Sequence, residues 1–554
     1  MNFRSKVGTV AIALAMIGST ALVASSPSGA SSGGASSSLT IVNEMGSLWT
    51  CSFNPLNPND AMQSVGPVYE PLEFVDALNS TKISPWLATG STWSNNNKTL
   101  TFTIRSGVKW SDGVPFTAAD VLYTFNLIKK YPALDANAVW SVLSSVSEVG
   151  TNKIVFNFKT SAVPYFFYIA DQVPIVPEHI VSKVANPVTW VDPNPVGTGG
   201  YLMSRCTPEN IQYTANSHYW QPGLPKIKTL NYPAFTSNTT ANEYLASGQA
   251  QWGGQYIPSV KSYYLGKSPS NHAWFPPVTN LALFPNLTVA PLNNLAVRKA
   301  IAYGINSRQV SKIGEGGEMP PATQTGVMTP TFSSWLDVSA MKKADIGYNP
   351  AKAKSILKAA GYKMGSDGVF AKNGKELSLT AIVIGGYSDW VADLQVVSTE
   401  LAQIGIKLTI SGLASNAFFN DLYTGNFQLA YNPETGGPTP YYEMRQLLFS
   451  KNSAPIGKVA TSNWERFSNT KADALINEYG ATTSLATQHS VVDKLQQIML
   501  SQIPVIPVVE NVDYDQYSTK NFTGFATPAN PYAAPSPFVF PDWGWVLLHL
   551  KLKK

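Results

Sequence analysis

Hydrophobic and polar positions alternate strictly over residues 99–104, in the sequence TLTFTI. Leu100, Phe102 and Ile104 occupy one side of this alternation, and threonines occupy the other. A two-residue period is typical of a β-strand with one buried face. Turn-forming residues follow at 106–107 and 111–113, so we expect the chain to reverse twice and the strand to be antiparallel.

The apolar spacing changes after Thr117, because residues 121–128 place apolar side chains every three or four positions. That spacing predicts an amphipathic helix. Thr117 and Asp120 form a variant of the capping box at its start. The helix is expected to end at Tyr131, which precedes a proline.

In the second half of the chain, a strand at residues 377–384, a helix at 388–404 and a strand at 406–410 follow one another with short connections. This order predicts a βαβ unit with parallel strands and a right-handed crossover. Ligands of open α/β sheets bind beyond the carboxyl ends of such strands. The loop that follows the first strand occupies that place, so Tyr387 and Trp390 are candidate ligand contacts.

Several blocks of sequence resemble one protein family. They are PWLA at residues 85–88, LTFTIRSGVKWSDGVPFTAADV at 100–121, PVGTGGY at 195–201 and NNLAVRKAIAYGINSR at 293–308. Together they resemble the family-5 solute-binding proteins of ABC importers, a group that includes oligopeptide-, dipeptide-, nickel- and cello-oligosaccharide-binding members. The resemblance implies a two-lobed α/β fold of the periplasmic-binding-protein type, of type II with an extra third domain, and a hinge between the lobes.

The family layout also implies domain limits. Residues 1–38 would be a signal peptide and a Ser/Gly-rich tether. A discontinuous first lobe would span residues 39–275 and 503–554, with an extra subdomain at about 77–185, and a second lobe would span 276–502. The glycines at 195–201 complete no phosphate-binding motif, so a tight turn is expected there.

Composition supports a large folded protein. The chain has 554 residues and an apolar fraction of 44%, enough for two or three packed domains. Charged residues make up 13%, about half the usual share, and the net charge is +5. Because the lysines are scattered and form no basic stripe, we expect no binding to nucleic acid.

The N-terminus has the layout of a secretory signal peptide. Arg4 and Lys6 precede an apolar run at residues 7–23, and a Ser/Gly/Ala tract follows. An uncleaved anchor is the alternative, since the run approaches the ~20 residues that a membrane span needs. We expect an exported protein, periplasmic or on the outer face of the cell membrane. No cysteine follows the run, so it is not an obvious lipoprotein.

The chain has only two cysteines, Cys51 and Cys206. Disulfides persist in exported proteins, so these two residues either pair or remain as two buried thiols. Two cysteines and five scattered histidines offer no zinc-binding spacing, and no metal or cofactor is expected.

Four candidate ligand contacts come from the resemblance alone. Glu44 and Trp49 stand in the corner after the first strand, which lies at the ligand cleft in the family. Trp252 and Gln255 follow the segment YLASGQAQW, after which residues of relatives face the ligand. The alternative for both tryptophans is packing in the core.

Residues 427–449, FQLAYNPETGGPTPYYEMRQLLF, correspond to the family segment that closes on the ligand. They supply the candidates Tyr431, Asn432, Glu434 and Tyr441. Oligopeptide-binding relatives carry an aspartate here that holds the α-amine of the peptide. This chain lacks that aspartate, and Glu434 is the nearest acidic replacement.

The implied function is binding without chemistry. A ligand between the lobes favours the closed state, which docks on the membrane permease and its ATPase subunits. The protein is expected to act as a monomer and not as an enzyme. A secreted glycoside hydrolase is the rival class, because paired carboxylates need only be adjacent in space. No G-x-S-x-G or H-E-x-x-H motif occurs.

The sequence favours an oligopeptide as the ligand and keeps an oligosaccharide as the alternative. Peptide recognition directed at the backbone tolerates varied side chains. Cello- or xylo-oligomers would instead need flat aromatic platforms and neutral amides, which the tryptophans and tyrosines among the candidates would supply. Ligand length stays open.

Overall fold

The computed structural model describes residues 38–44, 48–57, 60–79, 82–460 and 462–554, and the side chains of Asn43, Glu44, Ala61 and Asn416 lie outside that description. The signal peptide and tether predicted at residues 1–38 therefore lie outside the described residues, apart from Ser38. Within the described ranges, no helix combines the length and apolar character needed to cross a membrane.

The first part of the chain, up to Trp274, is rich in strands. Its strands are β1 (Ser38–Glu44), β2 (Glu73–Val75), β3 (Ile83–Pro85), β4 (Ala88–Ser94), β5 (Thr99–Ile104), β6 (Leu143–Val149), β7 (Lys153–Phe158), β8 (Tyr201–Thr207), β9 (Asn210–Ala215), β10 (Thr229–Phe235), β11 (Trp252–Gly253) and β12 (Asn271–Trp274). Its helices are α1 (Ala118–Lys130), α2 (Tyr165–Phe167), α3 (Glu178–Val181), α4 (Asn238–Ala246) and α5 (Val260–Tyr263).

The middle part of the chain alternates helices and strands. Its strands are β13 (Pro277–Pro285), β14 (Lys363–Met364), β15 (Phe370–Lys372), β16 (Lys375–Glu376), β17 (Ser378–Ile384), β18 (Lys407–Leu413), β19 (Leu429–Pro433) and β20 (Ile506–Val512). Its helices are α6 (Leu295–Gly304), α7 (Ser307–Ile313), α8 (Val338–Ala344), α9 (Pro350–Ala359), α10 (Ser388–Gln403), α11 (Ser415–Thr424), α12 (Tyr441–Leu448), α13 (Thr470–Gly480) and α14 (Leu485–Gln502).

The chain then returns to the first part. The returning elements are β21 (Asp515–Ser518), β22 (Phe522–Thr523), α15 (Asp542–His549) and β23 (Lys551–Leu552). β21 pairs antiparallel with both β11 and β12, so the last segment completes a sheet that the first segment began.

Three larger sheets organise these elements. A seven-stranded sheet has the order β12-β21-β11-β1-β10-β9-β8, a four-stranded sheet has the order β4-β5-β7-β6, and a five-stranded sheet has the order β18-β17-β19-β13-β20. We call the elements around the seven- and four-stranded sheets the first lobe, and those around the five-stranded sheet the second lobe. The mixed α/β architecture predicted from the sequence is confirmed, whereas the residue limits of the domains stay a prediction.

Two local predictions in the first lobe are confirmed, the strand at residues 99–104 and the helix that begins after Thr117. β5 alternates buried and half-buried residues along its six positions and pairs antiparallel with β4 and β7. α1 begins after Thr117, whose backbone N–H donates to Asp120 Oδ2 at 2.9 Å, so the capping box forms. The PVGTGGY segment is irregular and lies against residues 67–68, because the N–H groups of Gly199 and Tyr201 donate to Val68 O and Pro67 O at 2.9 Å each. A Cβ on Gly197 or Gly199 would collide with that backbone.

The βαβ unit is also confirmed. β17 and β18 pair in parallel register from Ser378 with Lys407 to Ile384 with Leu413, and α10 connects them. Asn349 caps α9 by accepting the N–H of Lys352 at 2.9 Å, and a proline occupies the first turn. These elements place the loop at residues 385–387 at the carboxyl end of β17.

Buried polar contacts hold the first lobe together. Cys51 and Cys206 form a disulfide, which resolves the alternative that the sequence left open. Glu70 is fully buried and accepts hydrogen bonds from four donors: Trp86 Nε1 (2.7 Å), Tyr219 Oη (2.6 Å), Trp220 Nε1 (3.0 Å) and Thr198 Oγ1 (2.7 Å). Burial raises the pKa of Glu70 to about 7, although all four donors lower it.

Candidate ligand cleft

A cavity of about 260 Å³ lies between the two lobes, and we call it the cleft cavity. Its walls come from the first lobe, the second lobe and the returning segment. Larger surface cavities of about 440 and 760 Å³ exist elsewhere, but each is lined from one lobe alone. A ligand in the cleft cavity would therefore touch both lobes at once. The lining residues are Ala77, Leu78, Asn137, Phe167, Tyr168, Gln172, Pro277, Val278, Thr279, Met328, Thr331, Phe332, Thr435, Gly436, Gly437, Asp513, Ala534, Val539, Phe540 and Asp542.

Two carboxyl groups line one part of the cleft cavity. Asp513 follows β20, and its backbone N–H donates to Pro276 O at 2.9 Å, which fixes it where the chain crosses between lobes. Asp542 is the first residue of α15, and its Oδ1 accepts the N–H of Ala534 at 2.8 Å. A carboxylate at a helix N-terminus is favoured by the helix dipole. Hydrogen bonds with backbone groups thus fix the positions of both aspartates.

Two further aspartates lie close enough to Asp542 for their charges to act on it. Asp171 Oδ1 accepts the N–H of Val75 at 2.8 Å, and Asp76 Oδ1 accepts the N–H of Leu78 at 3.1 Å. Burial raises the pKa of Asp542 well above its usual range, and the charges of Asp171, Asp513 and Asp76 add to that rise. We call Asp76, Asp171, Asp513 and Asp542 the acid quartet.

Burial also raises the pKa values of the other three members of the acid quartet. It raises the pKa of Asp513 to about 7 and that of Asp171 to about 8. It also raises the pKa of Asp76, against hydrogen bonds from Leu78 and Asn79 and the charge of Lys82. Near neutral pH, Asp513 therefore stands close to its own titration point.

Aromatic side chains form another wall. Phe167 and Tyr168 belong to α2 and the π-helical turn that follows it, and Phe540 precedes α15. The rings of Phe167 and Tyr168 pack edge-on against Tyr442 of the second lobe, with centroid separations of 5.3 and 5.5 Å. Tyr442 Oη also donates to Pro164 O at 2.8 Å, so the two lobes touch beside the cavity.

A second set of buried carboxyl groups, Glu434, Glu443 and Glu510, lies within the second lobe. Glu443 has no hydrogen-bond partner at either carboxyl oxygen, and burial together with the charges of Glu434 and Glu510 raises its pKa well above the usual range. Thr435 N–H donates to Gln446 Oε1. Glu434, Glu443 and Glu510 do not line the cleft cavity.

The candidates taken from the first lobe are placed in its core. Trp49 Nε1 donates to Tyr232 O at 2.7 Å, and Trp252 Nε1 donates to Asp515 Oδ1 at 2.9 Å. Gln255 Nε2 donates to Asn242 Oδ1 at 2.7 Å, and the backbone carbonyl oxygen of Gln255 accepts a hydrogen bond from Gln516 Nε2. β1 ends at Glu44, whose side chain lies outside the described residues.

The candidates from the second lobe cluster around β19 and α10. Tyr431 is fully buried and donates to Asp393 Oδ2 at 2.8 Å. Trp390 packs edge-on against Tyr431 and Tyr387, at 6.5 and 4.8 Å between ring centroids. These three aromatics lie together, but they do not line the cleft cavity.

The remaining candidates lie at the end of β19 and the start of α12. Asn432 pairs with Ala282 of β13, and Tyr441 stacks on Tyr479 at 4.3 Å. Glu434 Oε2 accepts Asn280 Nδ2 at 3.0 Å, and burial raises the pKa of Glu434 to about 8. None of the nine candidates whose side chains the structure describes lines the cleft cavity, and a ligand contact by any of the ten stays a prediction.

Sequence reasoning missed the residues that do line the cavity. Phe167 and Tyr168 belong to an aromatic run, PYFFY, that is visible in the sequence. Phe540 and Asp542 lie in a tail that reads as core packing, and much of α15 is indeed buried in the first lobe. Asp513 has no distinguishing local signal.

Comparison with known proteins agrees with this architecture. Residues 82–455 match the family model described as bacterial extracellular solute-binding proteins, family 5 Middle. The glutathione-binding protein GsiB of Salmonella paratyphi A is 27% identical over 504 residues, which cover 88% of this chain and 91% of that protein. The nickel-binding periplasmic protein of Escherichia coli K12 is 24% identical over 420 residues, covering 72% of this chain and 76% of that protein.

A solved structure from Thermotoga maritima extends the likeness to three dimensions. It is a periplasmic oligopeptide-binding protein of an oligopeptide ABC transporter with mannohexaose bound, and it is 26% identical, with a TM-score of 0.85. The alignment covers 94% of this chain and all of that chain, 100%. The two-lobed fold of the periplasmic-binding-protein type is thereby confirmed. The chain belongs to the bacterial extracellular solute-binding proteins of family 5.

Proposed function

We propose that this protein captures short peptides in the cleft cavity by lobe closure and delivers them to the permease of an ABC importer. Family-5 binding proteins bind solutes and work with permease and ATPase subunits of such importers. Ligand contacts to both lobes would stabilise the closed state by their differential affinity, and the closed state would dock on the permease. The protein performs no reaction on its ligand and acts as a monomer in this proposal.

The observation that carries the proposal is the cleft cavity with walls from both lobes. Its volume of about 260 Å³ is slightly below the range of ~300–1,000 Å³ that is typical of small-molecule sites. A di- or tripeptide suits that volume better than a long oligomer does. The likeness to a glutathione-binding protein supports the same size class, because glutathione is a tripeptide.

Peptide chemistry also suits the lining. Asn137, Gln172 and Thr279 offer donors and acceptors for peptide groups, and the aromatic wall gives room for varied side chains. The two lining carboxyl groups offer a place for a charged amine, which would otherwise be costly to bury.

A neutral oligosaccharide is the second candidate, and one observation favours it. The similar protein from Thermotoga maritima holds mannohexaose, although its name says oligopeptide binding. Threonine hydroxyls, side-chain amides and aromatic rings line the cleft cavity here as well, and these groups suit sugar hydroxyls and sugar faces. A secreted glycoside hydrolase is a third and weaker candidate, since two carboxyl groups line one cavity.

Isothermal calorimetry separates these candidates. A pool of tri- to pentapeptides is compared with cello-, xylo- and manno-oligomers, and each mixture is analysed for cleaved products afterwards. Peptide binding without cleavage is the expected result. Binding of sugars alone contradicts the peptide proposal, and cleavage of any oligomer contradicts the binding-protein function.

Small-angle scattering tests lobe closure with the ligand that calorimetry identifies. The radius of gyration should fall when the ligand is present at saturation, because the two lobes approach each other. A radius that stays unchanged at saturation rules closure out.

Export is part of the proposal. The native protein is expected outside the cytoplasmic membrane, either free after signal cleavage or held by the uncleaved apolar run. N-terminal sequencing of the native protein distinguishes these two forms. A lipid attached to Cys51 would contradict both, and the disulfide to Cys206 leaves that thiol unavailable.

A further inference from the structure

We propose that Asp513 and Asp542 form a cation-binding end of the cleft cavity, which takes a protonated amine of the solute. The proposal rests on the cleft cavity being the solute site, and it adds the chemical class that this site selects. It applies equally to a peptide α-amine, a polyamine or an amino sugar.

One carboxyl oxygen at this end of the cavity has no hydrogen-bond partner. Asp513 is 6% exposed, lines the cavity, and has no hydrogen-bond partner at its buried Oδ2. Asp542 is 3% exposed and uses Oδ1 for the N–H of Ala534. A buried acceptor without a partner costs free energy, and an ammonium donor in the cavity would remove that cost.

Among the described residues, no positively charged side chain lines the cavity. That lining includes no lysine, arginine or histidine. Lys82 acts on Asp76 at the edge of the acid quartet, and Arg445 lies near Tyr168 but donates to Tyr165 Oη at 2.7 Å. When these carboxyl groups ionise, no cation of the cavity lining can pair with them, so a cationic ligand would supply the missing partner.

The aromatic wall favours binding of a cation independently of the carboxyl groups. Phe167, Tyr168 and Phe540 contribute rings to the same cavity. The faces of aromatic rings attract ammonium groups, most strongly where water is excluded. Aromatic faces and acidic oxygens together form the kind of site that holds an amine.

The position of Glu434 argues against it as the amine anchor. Its Oε2 accepts Asn280 Nδ2 at 3.0 Å, and its backbone N–H donates to Asn280 O at 2.8 Å. Asn280 also donates to Gly326 O, so this carboxyl group is held within the second lobe. It does not line the cleft cavity, whereas Asp513 and Asp542 do.

Amine binding at this end should displace a proton. Burial raises the pKa of Asp513 to about 7, so part of the protein carries a proton there at neutral pH. Asp542 and Asp515 lie close enough to Asp513 for their charges to interact with its own. Asp171 and Asp76 act on Asp542 in turn, and Lys82 acts on Asp76. An ammonium ion favours the ionised carboxylate, lowers its pKa and releases the proton.

The test compares matched probes on the full chain. The probes are trialanine, N-acetyl-trialanine, spermidine and cellotriose, and calorimetry near pH 7 is run in two buffers with different ionisation enthalpies. An amine-bearing probe should bind at least about 30-fold more tightly than its neutral counterpart. Binding should release protons, which appear as a buffer-dependent enthalpy.

Two substitutions remove the charges without changing shape. Asp513→Asn and Asp542→Asn should each lower the affinity for the amine-bearing probe by about 10-fold or more and reduce the number of protons released on binding. Glu400→Gln is the matched control, since it also neutralises a buried carboxyl group but belongs neither to the cavity lining nor to the candidate contacts, and it should change affinity by less than about twofold. Glu434→Gln is run beside it as the test of the rival anchor. Using both aspartates keeps the test decisive if one variant folds poorly.

The outcomes separate this proposal from the peptide proposal. Equal binding of trialanine and its acetylated form, or a loss of affinity in Glu434→Gln alone, overturns the amine end and leaves peptide capture standing. Spermidine binding that depends on Asp513, without peptide binding, supports the amine end and contradicts peptide capture. Binding of cellotriose alone, or of no amine-bearing probe at millimolar concentration, overturns the amine end.

Discussion

The carboxyl groups of Glu315 and Asp393 form a buried pair that must hold a proton. Both residues are fully buried, and the two carboxyl groups lie close enough to share a proton. Tyr431 Oη donates to Asp393 Oδ2 at 2.8 Å, and Tyr514 Oη donates to Glu315 Oε2 at 3.2 Å. Each partner has one further oxygen without another donor, so a shared proton is the only link that can join them.

The sign of the resulting pH dependence follows from the raised pKa values. Burial, and then the charges of Asp393 and Asp389, raises the pKa of Glu315, and burial raises that of Asp393 to about 7. Both groups have a pKa near ~4 when unfolded. Between about pH 4 and pH 7 the folded state binds more protons than the unfolded state, so the free energy of unfolding falls as pH rises.

The magnitude follows from the width of that window. One extra proton in the folded state changes the free energy of unfolding by about 1.4 kcal/mol per pH unit. Over about three units this contributes about 4 kcal/mol, a large share of a typical stability of ~5–15 kcal/mol. The pair is fully buried, so screening by solvent does not reduce that figure.

Glu315→Gln isolates the effect, because the amide donates to Asp393 without needing a proton and still accepts from Tyr514. Urea titrations followed by tryptophan fluorescence at about pH 4.5 and pH 7 should give similar stabilities at the lower pH and a variant more stable by about 2–4 kcal/mol at the higher pH. Glu478→Gln, on an exposed position of α13, is the control. A variant that tracks the wild type across this pH range would refute the shared proton.

Three further changes should lower the free energy of unfolding by predictable amounts, each measured by urea titration. Removing the disulfide with Cys51→Ala and Cys206→Ala should cost about 2–5 kcal/mol, since the bond closes a loop of 155 positions. Glu70→Gln should cost about 1–3 kcal/mol, because in either orientation its amide NH2 would face an indole N–H, of Trp86 or of Trp220, that cannot accept a hydrogen bond. Gly544→Ala should cost more than about 3 kcal/mol, since its Cβ would overlap the backbone of Gly66.

Each of these changes has a matched control or a contradicting result. A reductant should shift the wild type toward the cysteine variant, and an unchanged midpoint would contradict a stabilising disulfide. Glu148→Gln, on an exposed strand position, should leave stability unchanged where Glu70→Gln lowers it. Gly347→Ala has open space around its Cβ, and an equal loss there would show that general helix or loop effects explain Gly544→Ala.

The elements that were predicted correctly carry their signals in a few adjacent residues. β5 alternates with a period of two, and its pairing with β4 and β7 buries the apolar side that the pattern selected. The βαβ unit needed only two apolar runs and a helical spacing between them. Hydrophobic periodicity and helix capping depend on residues that are neighbours in the chain, so both can be predicted from the sequence alone.

Elements near the end of the second lobe depend on longer-range packing. The helical region before β20 is split in two, since α13 ends at Gly480 and α14 begins after Ser484, whose Oγ accepts the N–H of Thr487 at 3.4 Å. β20 pairs antiparallel with β13, which lies more than 200 residues earlier in the chain. Pairing between distant strands leaves no mark in either strand's own sequence.

The acid end of the cleft cavity shows why the site escaped sequence reasoning. Asp513 and Asp515 stand two residues apart in NVDYD, and in one continuous strand both would point to the same side. β20 ends at Val512 and β21 begins at Asp515, however, so the chain changes sheets between the two aspartates. Asp515 turns into the core and accepts Trp252 Nε1, whereas Asp513 lines the cavity. The order of residues shows that two acids are present, but only the pairing of β20 with β13 and of β21 with β11 decides which one can reach a ligand.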